Sequence, residues 1–99
     1  MSIVIAQPDM LSGAAGELRS INAALQAGNA AAAGPTTVVA PAAADAVSIL
    51  TAAQFSAHAQ LYQAISAQAA WAREQLATVL GLSAGSYAAT EAANSTMVG

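Results

Sequence analysis

Apolar residues recur along the first third of the chain in alternating steps of three and four: Leu11, Ala14, Leu18, Ile21, Leu25, Gly28 and Ala32. That rhythm is a heptad seam on one face of a helix. Pro8 suits the first helical turn, where its missing N–H costs nothing. Asp9 behind it places negative charge at the N-terminus, where the helix dipole favours it. Gly34-Pro35 is a stop signal, so the pattern predicts a first helix over about 8–33. Thr36-Thr-Val-Val-Ala-Pro41 then reads as a short extended connection, biased away from helix by its β-branched residues and the Pro at its end. Asp45 is an N-cap or first-turn residue for a second helix.

The second pattern is longer and predicts a helix over about 43–80, with Gly81 as its C-terminal stop. One heptad series is Phe55, His58, Tyr62, Ile65, Ala69, Ala72, Leu76 and Val79. Another, offset around the helix, is Leu50, Ala57, Leu61, Ala64 and Trp71. A lone antiparallel hairpin buries one such seam and leaves the other for a further helix. The fold class expected is therefore all-α: an antiparallel two-helix hairpin that completes a four-helix bundle with a partner chain. The surfaces expected to meet that partner carry Leu11, Leu18, Ile21, Leu25, Leu50, Phe55, His58, Leu61, Tyr62, Ile65 and Trp71. Past Gly81 the chain turns small and polar. It is read as a flexible tail, 84–99, following a hairpin domain, 1–83.

Composition sharpens this picture. Of the 99 residues, 57% are hydrophobic and 7% charged, and only 4% are aromatic. Alanine dominates the apolar share, and a buried Ala removes little area, whereas a large apolar side chain is worth roughly 1.5–3 kcal/mol. A chain this short with few large anchors is marginal alone. Its 2 Lys/Arg against 5 Asp/Glu give a net charge of −3. Nucleic-acid binding, which needs several cations to neutralise phosphates, is excluded as a reading. An anionic membrane surface is disfavoured for the same reason. No transmembrane segment is expected either, because Gln54, His58, Gln60, Gln63 and Gln68 punctuate the longest uncharged stretch. The start has no basic residue before its short apolar run, so it does not read as a standard secretory signal.

Candidate chemistry is sparse. His58 is the single histidine and there is no cysteine, so a metal site lacks ligands. A Ser–His pair would have to form in the middle of a packed helix. No enzymatic activity, cofactor or metal is expected. Arg73-Glu74 reads as a solvated charge pair of small energetic worth. Tyr87 and Glu91, four residues apart, form an ordinary helical pair or a signal read by another protein.

Several blocks together resemble a known family. They are the opening Met1-Ser-Ile-Val-Ile5, the Pro8-Asp9 pair and Asn29-Ala-Ala-Ala-Ala-Gly-Pro-Thr-Thr37. Pro41-Ala-Ala-Ala-Asp45-Ala-Val-Ser48, Gln54-Phe-Ser-Ala-His-Ala-Gln-Leu-Tyr-Gln63 and Tyr87-Ala-Ala-Thr-Glu91 complete the set. In order and spacing the chain is similar to the PE family of mycobacteria over essentially its whole length. Asp9 departs from the family's usual Glu by one methylene and keeps the charge. The resemblance implies a hairpin that forms a heterodimer with a PPE-family protein. It implies export of the pair by type VII secretion machinery, with a secretion chaperone gripping the PPE partner rather than this chain. Pro8 and Asp9 would be the family signature, and Tyr87 with Glu91 the Tyr-x-x-x-Asp/Glu secretion motif. The protein would be cytosolic before export and then secreted or held at the cell surface or envelope. Roles in nutrient uptake or host–pathogen interaction remain open. Since the chain stops at Gly99, it looks like a PE domain without an effector domain. The alternative to a heterodimer subunit is a self-associating structural homodimer, itself a four-helix bundle.

Overall fold

The computed structural model describes residues 7–98. Two α-helices account for nearly all of them: α1, Pro8–Thr37, and α2, Ala46–Val98. Among the described residues there is no strand. The opening Met1–Ile5, used above for the family resemblance, lies outside the described residues.

The start of α1 is as expected. The carbonyl of Gln7 accepts from the backbone N–H of Met10 (3.1 Å) and of Leu11 (3.2 Å), with Pro8 in the first turn. Its end is not. Gly34-Pro35 does not stop the helix, which runs to Thr37 and takes in the first two residues of the expected extended connection. Pro35 lies close to the helix end, where few hydrogen bonds remain to be lost. The hydroxyls of Thr36 and Thr37 donate to the carbonyls of Ala32 and Ala33 and strengthen the final turn. α2 begins as its sequence indicates, with the Asp45 carboxylate accepting from the Ser48 N–H at 3.2 Å. These bonds to Ser48 hold the Asp45 carboxyl below its ordinary range. The far end differs again. Gly81 and Gly85 keep helical backbone, with no positive φ at any described glycine. α2 therefore continues through the expected stop and through 84–98. Gly caps a helix only when its backbone turns left-handed, and here Leu80, Leu82 and Ala84, good helix formers, carry the helix on.

The chain divides into two compact units. One comprises residues 22–71, with the second half of α1, the connection and the first half of α2. Within it Asn22 reaches the carbonyl of Ala70, Asn29 meets Tyr62 and Gln63, and Val39 meets Ser56. Partner numbers fall as α1 advances, so this unit is an antiparallel hairpin. The other unit holds the first part of α1 and the chain from Ala72 onward. There Arg19 Nε contacts Glu74 Oε1 at 3.0 Å and its Nη2 lies 3.4 Å from Thr78 Oγ1. Glu74 thus pairs with Arg19. Arg73 is itself half-buried.

The inner face is not the expected one. On α2 one row of less exposed positions runs through Ala52, Ser56, Ala59, Gln63, Ser66, Ala70, Arg73, Ala77, Leu80 and Ala84, with Ser48, Ala69, Gly81 and Ser83 half-buried beside it, Ala69 being a member of the expected Phe55 seam. The row's alternating steps of four and three make a third heptad stripe, distinct from both seams read in the sequence. On α1 the less exposed positions are Pro8, Leu11, Ala15, Leu18, Asn22, Asn29, Ala32, Ala33 and Thr37. Leu11, Leu18 and Ala32 belong to the expected seam. Ala14, Ile21 and Gly28 give way to their successors Ala15, Asn22 and Asn29, a rotation of about 100° on that row. A Cβ added at Gly28 meets nothing within 4 Å, so no neighbouring helix of this chain approaches closely there.

Candidate partner interface

A heptad stripe of small residues lets two helices approach closely, but each alanine hides little apolar area. Among the described residues the buried apolar side chains are all alanines: Ala15, Ala52, Ala70, Ala77 and Ala84. Asn22 is the buried polar residue, 2% exposed, and its Nδ2 donates to the Ala70 carbonyl at 3.0 Å. No large side chain among the described residues is fully buried. The hairpin buries its small residues and leaves most of its large ones exposed.

Where the sequence placed partner-facing residues, the structure leaves most of them open. In the unit spanning 22–71, Leu25, Leu50, Phe55, Leu61, Tyr62, Ile65 and Trp71 are all exposed, Phe55 at 63% and Trp71 at 68%. His58 is exposed beside them. Phe55, His58, Tyr62 and Ile65 follow one another at helical spacing on a single side of α2. Pro35, Val39, Phe55, His58 and Tyr62 line an open groove of about 430 Å³ in this unit. Leu50, Leu61 and Trp71 lie around the helix from that row. In the other unit Ile21 is exposed, whereas Leu11 and Leu18 are half-buried on the inner face of α1. Leu76, Val79 and Leu82 add exposed apolar surface there.

Tyr87 and Glu91 lie one turn apart on continuous helix, both exposed. They fall on the line that runs through Ala77, Leu80 and Ala84. Tyr87 helps form a shallow groove with Val79, Leu82 and Thr90. Pro8 is half-buried and Asp9 exposed in the first turn of α1.

Sequence reasoning missed the polar contacts between the two helices. Tyr62 Oη donates to Asn29 Oδ1 at 2.8 Å and Gln63 Nε2 to the Asn29 carbonyl at 2.9 Å. The signal available was spacing: Asn22 and Asn29 are seven apart, as are Ser56, Gln63 and Ala70. No group of three or more His, Asp or Glu gathers among the described residues to hold a metal ion. No helix there is long and apolar enough to cross a membrane.

An all-helical chain that packs as a hairpin on alanines and displays its large apolar residues belongs to the class of helical hairpin proteins with an exposed apolar face. The PE family model matches residues 4–94, and the chain belongs to the PE family. It is 58% identical to PE family protein PE13 of Mycobacterium tuberculosis over 94 residues, 95% of each chain. It is 59% identical to PE-PGRS family protein PE_PGRS5 of the same organism over 94 residues, 95% of this chain but 16% of that one. PE family protein PE8 of M. tuberculosis is 48% identical over 96% of this chain and 34% of its own length. The chain thus spans nearly all of one relative and a minor part of the others.

Proposed function

We propose that this chain is a non-enzymatic subunit that pairs with a PPE-family protein to form a four-helix bundle, and that the pair is exported by a type VII secretion system to the cell envelope or beyond. The observation that carries the reading is the inverted hairpin, with alanines inside and Phe55, Tyr62, Ile65 and Trp71 outside. Exposed apolar surface on this scale is what a partner-binding face requires and what a soluble monomer avoids. Family membership supports the partner's identity, since PE proteins in general associate with PPE proteins and are generally secreted. A chaperone would act through the PPE partner, and Tyr87 with Glu91 would serve as the export signal in the segment 84–99 that follows the bundle-forming residues 1–83.

The test is co-expression of the tagged chain with candidate PPE proteins, followed by pull-down and light scattering. The expected result is a one-to-one complex with a cooperative melt, against aggregation of the chain expressed alone at micromolar concentration. A monodisperse lone monomer with a cooperative melt would overturn the reading. A clean homodimer would favour self-association into a symmetric bundle instead.

A further inference from the structure

An alanine seam has a defect as a fastening. It presents nearly the same surface every seven residues, so sliding one helix past the other by a heptad, about 10.5 Å, sacrifices little packing. Large interlocking side chains would forbid that slip, and here they face outward. In the unit spanning 22–71, four hydrogen bonds instead tie α2 to α1 or to the connection. Asn22 Nδ2 donates to the Ala70 carbonyl, Gln63 Nε2 to the Asn29 carbonyl, Tyr62 Oη to Asn29 Oδ1, and the Val39 N–H to Ser56 Oγ. Their α2 members Ser56, Gln63 and Ala70 stand seven apart, in step with the seam.

We propose that the rungs made by Asn22, Asn29, Tyr62 and Gln63 set the register of this hairpin, and so decide which outward residues of α1 and α2 stand side by side for a partner to read. Asn22 is almost fully buried. In a slipped register its amide must find another acceptor or lose its hydrogen bonds inside protein, which costs the full desolvation of the group. A single buried Asn fixes the register of coiled coils by the same physics. The competing device is the connection over residues 38–45, which would hold the register by its length alone.

The chain has no cysteine, so register is readable by thiol cross-linking of the full chain, alone or with whatever partner it captures. Ala32 and Ala59 line the same groove. The pair Ala32→Cys with Ala59→Cys reports the native register, while Ala32→Cys with Ala52→Cys or with Ser66→Cys reports a slip of one heptad either way. With the rungs intact, only the native pair is expected to link. In the Asn22→Leu, Tyr62→Phe, Gln63→Leu background the slipped share is expected to rise roughly tenfold, equivalent to about 1.4 kcal/mol of register preference. Simple loss of stability would lower the native yield without favouring a slipped pair. Native linking alone in that background overturns the proposal and assigns the register to the connection. If that background unfolds and every pair links equally, the Tyr62→Phe, Gln63→Leu variant, which keeps Asn22, decides, and an unchanged slipped share there overturns the proposal. The readout is internal to the chain, so failure to capture a PPE protein counts against the proposed function and leaves this test intact.

Discussion

Replacing Ile65 by aspartate separates folding from pairing. Ile65 is 55% exposed in the hairpin, on the α2 row that carries Phe55, His58 and Tyr62. Somewhat less than half of the side chain is covered in the hairpin, so the variant should stay helical with a stability loss of about 1 kcal/mol. Pairing is different. Burying a whole isoleucine is worth about 1.5–3 kcal/mol, so the half still open holds roughly 1–1.5 kcal/mol for a partner. A carboxylate forced into that contact without a cation adds several kcal/mol of desolvation. The two together predict weakening by roughly 3–5 kcal/mol, more than a hundredfold in Kd. Ala77→Asp is the control. Ala77 is 0% exposed, so that variant should lose helicity and pairing together. Circular dichroism measures the first, and calorimetry on the complex with its PPE partner the second. An Ile65→Asp chain that pairs within threefold of the parent, roughly 0.6 kcal/mol, would refute the assignment of that face.

Four further outcomes are expected. Gly28→Ala should raise helical stability by about 0.5–1 kcal/mol in the hairpin, since an added Cβ meets nothing there; if it also weakens pairing in a pull-down, a partner backbone sits against Gly28. Arg19→Ala should lower the melting temperature of the complex only slightly, because the Arg19–Glu74 pair is half-exposed on both sides and such pairs contribute at most about 1 kcal/mol. Asp45 binds its proton less readily when its Ser48 bonds are formed. Its capping contribution is therefore whole above its ordinary pKa of 3.8 and fades as pH falls through the lower folded value, so Asp45→Ala should flatten the acid limb of a helicity titration. Tyr87→Ala and Glu91→Ala should leave the melt of the purified pair nearly unchanged while protein accumulates in the cytosol, and Glu91→Asp should be exported; culture-filtrate to pellet ratios for each variant decide this, and normal export of both Ala variants would remove the signal role.

The sequence by itself determined the two helices, their order, the connection near residue 40 and the caps at Pro8 and Asp45, because these rest on local backbone chemistry. It also carried the mismatch between apolar surface and a two-helix core, which is a matter of composition. Helix ends were less legible. Gly34-Pro35 and Gly81 are stop signals only when the backbone leaves the helix, and at both places the flanking residues sustain it. Tertiary structure alone decided which stripe of α2 faces α1. Three heptad rows run along that helix, and periodicity gives each the same phase relation to the axis without ranking them. The hairpin takes the alanine row because small side chains let the backbones close and let Asn22 and Gln63 reach carbonyls across the seam. The two rows of large residues are left outward, exposed on the hairpin's surface.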